Sequence, residues 1–146
     1  MKASEIKIVY KNRVRASERA KVTCSGTAAD VLRRYWDRDT LEHIEEFKVL
    51  LLNRANKVLG ILKVSQGGVS GTVADPKIIF QAALKCNASA VILSHNHPSG
   101  NDRPSQADIK LTKKLSEAGK FLDISVLDHI ILTVDKHFSF LDEGLI

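Results

Sequence analysis

Cysteine is nearly missing from this sequence: Cys24 and Cys86 are the two it has. Two thiols do not make a disulfide framework. Cys86 falls in an apolar helical pattern, where a small buried hydrophobe is expected. A reducing compartment suits both. Proline occurs three times and glycine eight times, which argues against a disordered chain. No apolar run approaches the roughly 20 residues that span a bilayer. The first residues carry charge but lack the apolar segment and cleavage pattern of a secretory signal, so a cytoplasmic protein with no membrane partner is the expectation. Aromatic residues are only 5%. The basic stretches contain no set of stacking rings of the kind that reads nucleic acid. Gly67, Gly68 and Gly71 lack the spacing and the lysine of a phosphate-binding loop.

What is present suits one soluble domain. A chain of 146 residues can bury roughly two-thirds of its unfolded surface. Apolar residues make up 44% and charged residues 27%, an ordinary balance. The formal charge is +5, with much of the excess early, at Lys2, Lys7, Lys11, Arg13, Arg15, Arg19, Lys21, Arg33 and Arg34. Nucleic acid is a partner that these charges would attract, through the N-terminal region. A solvated basic face is the competing reading.

Hydrophobic periodicity sets the elements. Residues Glu5 to Lys11 alternate charged and apolar, as in a first strand. Ser25 or Thr27 caps a helix carrying Ala28, Val31, Leu32 and Tyr35 on one side. The charged segment 37–45 is a loop or short helix. Residues 47–52 and 58–64 form an antiparallel hairpin across the turn-like stretch 53–57, and its exposed edge is a place where chains can pair. The glycines at 67, 68 and 71 allow bends or a bulge. Asp75-Pro76 starts a helix, with Ile79, Ala82, Ala83 and Cys86 on its apolar face and Asn87 at its end. Ala90-Val91-Ile92-Leu93 is a buried strand. After a loop containing Pro98, Gly100 and Pro104, Ser105 caps a helix with Asp108 in its first turn and Gly119 as its stop. Residues 121–127, 129–134 and 137–141 supply further short strands. The order predicts an α/β (α+β-like) fold, a mixed curved sheet with packed helices.

His95 and His97 are two residues apart. If the end of the Ala90 strand stays extended, both point to one face, about 7 Å apart along the chain. The loop that follows can turn Asp108 back over the strand end. Two neutral nitrogens and one carboxylate suit zinc, and an open fourth position is the mark of a catalytic site. Zinc in that setting acidifies water and polarises a carbonyl, and a neighbouring carboxylate can carry the proton. Glu46, at the mouth of the Phe47 strand, is the natural base, with Glu42 and Glu45 as alternatives. The same residues also fit a hydrogen-bonded loop followed by a helix cap. Asp128 and His129 either orient one another beside this site or make a plain core hydrogen bond. His43 and His137 are isolated.

The run His95-Asn96-His97-Pro98-Ser99-Gly100, the run Pro104-Ser105-Gln106-Ala107-Asp108 and the later Asp128-His129-Ile130-Ile131 closely resemble the JAMM (JAB or MPN+) metalloprotease signature. More narrowly, they resemble the RadC-type family, whose members carry a DNA repair label. The similarity covers about residues 40–146. It implies a cytidine-deaminase-like JAB/MPN domain at 41–146, preceded by an extension over 1–40 in a single compact unit. It implies one zinc ion per chain on His95, His97 and Asp108. Glu46 would then activate water and Ser105 would stabilise the oxyanion. RadC-type proteins commonly also have an N-terminal helix-hairpin-helix region. No such pattern occurs in the residues ahead of the JAMM-like region, which weakens the motif basis for DNA binding. The leading expectation is therefore a zinc metallopeptidase acting on a peptide or protein substrate. A DNA-associated repair factor and a non-catalytic zinc-containing binding module are the competing readings.

Overall fold

A computed structural model describes residues 1–67 and 73–146; Gly68 and Gly71 therefore lie outside the described residues. Helices α1 (Ser25–Arg34) and α2 (Arg38–Leu41) precede strands β1 (Glu46–Leu52) and β2 (Val58–Gln66). Then follow α3 (Pro76–Lys85), β3 (Ala90–Asn96), α4 (Gln106–Phe121), β4 (Ser125–Leu132) and β5 (His137–Ser139). The expected mixed α/β architecture is present. Five strands form one sheet in the order β2-β1-β3-β4-β5. β3 and β4 are parallel and joined through α4, and the other neighbours are antiparallel.

Helices cover both faces of the sheet. Phe47, Val49, Leu51, Val91 and Leu93 pack on one side with Ile79, Phe80 and Ala83 of α3 and Leu115 of α4. Leu50, Leu52, Ile92, Ile130 and Leu132 pack on the other with Ala28, Ala29 and Leu32 of α1. All seven residues of β1 and all seven of β3 are consequently buried. Such strands lose the polar–apolar alternation that would mark their faces.

Local chemistry explains the helix ends. Asp75 accepts from the Lys77 amide, with Pro76 opening α3, and Asn87 follows that helix with φ of 55°. The cap of α1 is Cys24 rather than Ser25 or Thr27. Thr27 instead reaches back from inside the helix, where its hydroxyl accepts from the amides of Thr23 and Cys24 at 2.9 and 3.1 Å.

Three further expectations are corrected. No strand forms over residues 5–11. Ile6, Ile8 and Val9 stay exposed, and the segment is tied down through Tyr10, whose hydroxyl donates to the Leu59 carbonyl at 2.5 Å. Alternation makes a strand only where a paired edge and a cover for the apolar side are both available. Strands expected at 121–127 and 129–134 are one strand, β4, because Phe121 still belongs to α4 and Asp123 turns the chain at φ of 53°. Gly119 lies inside α4 rather than stopping it. Its role is close approach: a Cβ there would stand 2.2 Å from the Ile124 carbonyl oxygen. Alanine gains about 1 kcal/mol of helix propensity over glycine. Collision with backbone outweighs this, so Gly119→Ala should lose about 2 kcal/mol net, roughly 4–8 °C in Tm by calorimetry.

Candidate metal centre

The strand β3 ends at the centre of the molecule's polar chemistry. His95 is 2% exposed and faces the same side as Phe47, its cross-strand partner. The two rings lie parallel, with centroids 6.0 Å apart. His97 sits just beyond the strand, where its amide donates to the Leu132 carbonyl at 3.3 Å. Gly100, with φ of 79°, then turns the loop. This turn brings the Asn101 carbonyl to within 2.7 Å of His97 Nδ1. A carbonyl only accepts, so Nδ1 of His97 carries a hydrogen. His97 then presents Nε2 to the centre.

His95 Nε2 and His97 Nε2 are 2.8 Å apart. Two bare lone pairs at that distance repel; a shared cation, proton or metal, reconciles them. Asp108 supplies the counter-charge. Its Oδ2 lies 3.4 Å from His95 Nε2 and 3.6 Å from His97 Nε2. The carboxylate is held in place by the capping box of α4: the Ser105 amide donates to Asp108 Oδ2 at 2.7 Å, and Ser105 Oγ accepts from the Asp108 amide at 3.1 Å. Thus Ser105 is the cap that the sequence suggests.

The charge states follow from the contacts. The hydrogen bond to Asp108 raises the pKa of His97 above that of an ordinary imidazole; partial burial opposes this, and the Asn101 carbonyl and the Glu45 charge reinforce it. Burial would push Asp108 up, but the neighbouring His95 and His97 imidazoles and the Ser105 amide outweigh it, leaving the carboxyl well below the usual range. Burial pushes His129 well down.

The glutamate that the structure brings to the histidines is Glu45, not Glu46. Glu45 Oε1 lies 3.9 Å from His97 Nε2. Donor atoms of Glu45, His95 and His97 all fall within 4.8 Å of one another, a group able to hold a metal ion. Glu46 is turned away by strand geometry. Phe47 shares the face of His95, so its neighbour Glu46 shares the opposite face with Lys48. There it pairs with Lys48 at 3.3 Å and with Lys63. Lys48 in turn donates to the Tyr35 carbonyl at 2.9 Å and lies over the Trp36 ring. Glu42 is exposed on the segment between α2 and β1.

Asn96 was not singled out from sequence, yet it positions Glu45. It is fully buried on the face away from the histidines. Its side-chain amide donates to the carbonyls of Leu41 and Ile44 at 2.7 and 2.9 Å, and its Oδ1 accepts from the Glu46 amide at 2.7 Å. These three bonds bracket Glu45 on both sides. The only signal for it was its place between two histidines on an alternating strand. His129 stands behind the centre, its Nε2 2.7 Å from His95 Nδ1. Asp128 does not orient the His129 ring. Its carboxylate accepts from the backbone amides of His129 and Leu141 and from the Ser139 hydroxyl, tying β4 to β5 and to the chain that follows it.

Known proteins are similar to this chain in sequence. The model of a RadC-like JAB domain matches residues 22–145. A UPF0758 protein of Flavobacterium johnsoniae is 50% identical over 101 residues, covering 69% of this chain and 44% of that protein. One of Salinibacter ruber is 45% identical over 132 residues, covering 88% of this chain and 54% of that protein. One of Porphyromonas gingivalis is 48% identical over 103 residues, covering 70% and 45%. The chain spans about half the length of these curated relatives. Among the described residues, no helix is long and apolar enough to cross a membrane. The match begins before α1 and runs through the histidine strand, the Asp108 helix and β5. On that extent, and on the resemblance already visible between His95 and Asp108, the chain belongs to the RadC-like JAB domain family.

Proposed function

We propose that this chain is a zinc-dependent hydrolase of peptide or isopeptide bonds, with His95, His97 and Asp108 as metal ligands and Glu45 as the proton carrier. The observation that carries the reading is the convergence of the two Nε2 atoms and Asp108 Oδ2 on one point, at separations of 2.8, 3.4 and 3.6 Å. Tetrahedral zinc with ligands at 2.0–2.1 Å needs donor atoms about 3.3 Å apart. The set fits with a small spreading of the histidine pair. Two imidazoles and a carboxylate also suit zinc chemically, and three protein ligands leave a fourth position for substrate chemistry.

The chemistry that zinc supplies when bound is Lewis acidity toward water and toward a carbonyl oxygen. The protein's own groups supply the rest. Glu45, half-buried and beside His97, accepts a proton from the attacking water and returns it to the leaving amine. Ser105 uses an acceptor position of its hydroxyl in the helix cap, which leaves its O–H to donate to a developing oxyanion. His97 keeps its ring oriented through Asn101, and Asn96 keeps the Glu45 segment against the strand end.

Metal analysis tests the reading directly. Protein purified without chelator is expected to hold about one zinc per chain, and a panel of peptide and isopeptide substrates should show cleavage that chelator removes and zinc restores. A chain that neither carries zinc nor takes it up on titration at neutral pH would refute it.

The proposal also fixes a pH dependence. Binding needs His97 unprotonated, and its pKa is raised above 6.5. Zinc uptake below that raised pKa must expel a proton. Affinity should therefore fall about tenfold per pH unit as pH drops through it. Asp108, held low, contributes nothing in that window. Titration calorimetry in buffers of different ionisation enthalpy reads both the slope and the proton released.

A further inference from the structure

We propose that Thr112 and His129 are positioning residues that set the tautomer of His95, so that its Nε2 lone pair faces the metal centre. This rests on the metal-centre reading above. Hydrogen bonds alone lead to it. The Thr112 hydroxyl lies 2.7 Å from the carbonyl oxygen of Asp108, one turn earlier in α4. It lies 2.6 Å from His129 Nδ1. A hydroxyl has one hydrogen and a carbonyl has none. The Thr112 hydrogen must therefore go to Asp108, and the hydrogen between Thr112 and His129 must come from Nδ1. A neutral ring protonated at Nδ1 presents a bare Nε2. That Nε2 is 2.7 Å from His95 Nδ1, so His95 donates to it. The remaining nitrogen, His95 Nε2, is left with its lone pair toward His97 and Asp108.

The reversed network is worse at one identifiable point. If Thr112 donated to His129, the Asp108 carbonyl would face a hydroxyl lone pair at 2.7 Å. Water cannot relieve this, because Thr112, His95 and His129 are at most 2% exposed. Ring rotation is also blocked: His95 is stacked on Phe47, and His129 stacks on Phe140 with centroids 4.6 Å apart. The geometry therefore links two jobs on one helix. The first turn of α4 carries the ligand carboxylate, and the next turn carries the hydroxyl that aims the ligand imidazole. Partners of this kind orient ligands and raise metal affinity.

The test uses the whole chain labelled with nitrogen-15. Long-range nitrogen–proton correlation spectra of metal-free protein distinguish Nδ1–H from Nε2–H imidazoles. Wild type and Thr112→Ser are expected to show Nδ1–H at both His95 and His129. In Thr112→Val the His129 Nδ1–H loses its acceptor, so the pair should shift toward Nε2–H at both rings. Zinc affinity should then fall about 10- to 100-fold, with Thr112→Ser restoring it. Nε2–H at His95 in wild type would overturn the proposal, and so would a folded Thr112→Val with unchanged tautomers and affinity. Should Thr112→Val fail to fold, the wild-type and Thr112→Ser tautomers still decide. Nδ1–H at both rings in a wild type that takes up no zinc would support the tautomer assignment while overturning the metal-centre reading alone.

Discussion

Glu45→Gln is expected to keep the metal and lose hydrolysis. Glutamine has nearly the same shape, and none of His95, His97 or Asp108 is altered. What disappears is a carboxylate 3.9 Å from His97 Nε2 that can take and return a proton. General acid–base catalysis is worth about 10²- to 10⁴-fold, so kcat should fall roughly a thousandfold while zinc content stays at wild type. Glu46→Gln gives the contrasting result. Glu46 and Lys48 are both buried and pair at 3.3 Å. Removing one partner of such a pair costs on the order of 3 kcal/mol. Stability should therefore fall, with kcat per folded molecule close to wild type. A Glu46→Gln protein that folds normally but has lost hydrolysis would reverse the assignment of the two glutamates.

Loss of a ligand is the second large effect. His95→Ala removes one of three donors and leaves His129 Nε2 without the partner it has at 2.7 Å. Protein zinc sites bind with about 10–16 kcal/mol of apparent free energy. One ligand in three then accounts for about 4 kcal/mol, or roughly a thousandfold in Kd. Thermal unfolding gives a readout independent of any substrate. Zinc at a thousandfold excess over Kd should stabilise wild type by about 4.1 kcal/mol, on the order of 10 °C in Tm. His95→Ala should show almost none of that increase at the same zinc concentration. A zinc-dependent shift of wild-type size in His95→Ala would exclude His95 as a ligand.

These two experiments also mark where the sequence was sufficient. Asp108 could be matched to His95 and His97 because the three lie within 14 positions. A Pro- and Gly-containing loop joins them, and the helix beyond begins with a recognisable cap. Short-range constraints of this kind act before tertiary packing. The same is true of Asp75-Pro76 at the start of α3 and of Asn87 at its end, both of which appear as expected. The segment at 5–11 shows the opposite case. Its alternation is as regular as that of a strand, but Ile6, Ile8 and Val9 find no cover. Gly119 is a third kind of failure. As a helix stop it would have been a local device, whereas its true constraint is the Ile124 carbonyl packed against it.

By itself, then, the sequence determined the chemistry at one end of β3: two imidazoles on one face, a capped carboxylate and the loop between them. Family membership followed from those same residues. Only the tertiary structure decided which glutamate joins them. β1 is sandwiched between helical layers, and all seven of its residues are buried. The alternation Glu46-Phe47-Lys48-Val49 puts Glu46 and Lys48 on one face, but it does not tell which face meets the histidines. The register Phe47 against His95 settles the parity. It sends Glu46 to Lys48 on one side and leaves Glu45, bracketed by Asn96, beside His97 on the other. The Thr112–His129–His95 chain was hidden for the same reason. Its members come from α4, β4 and β3, and only the packing of that helix against parallel strands brings Thr112, His129 and His95 within hydrogen-bond distance of one another.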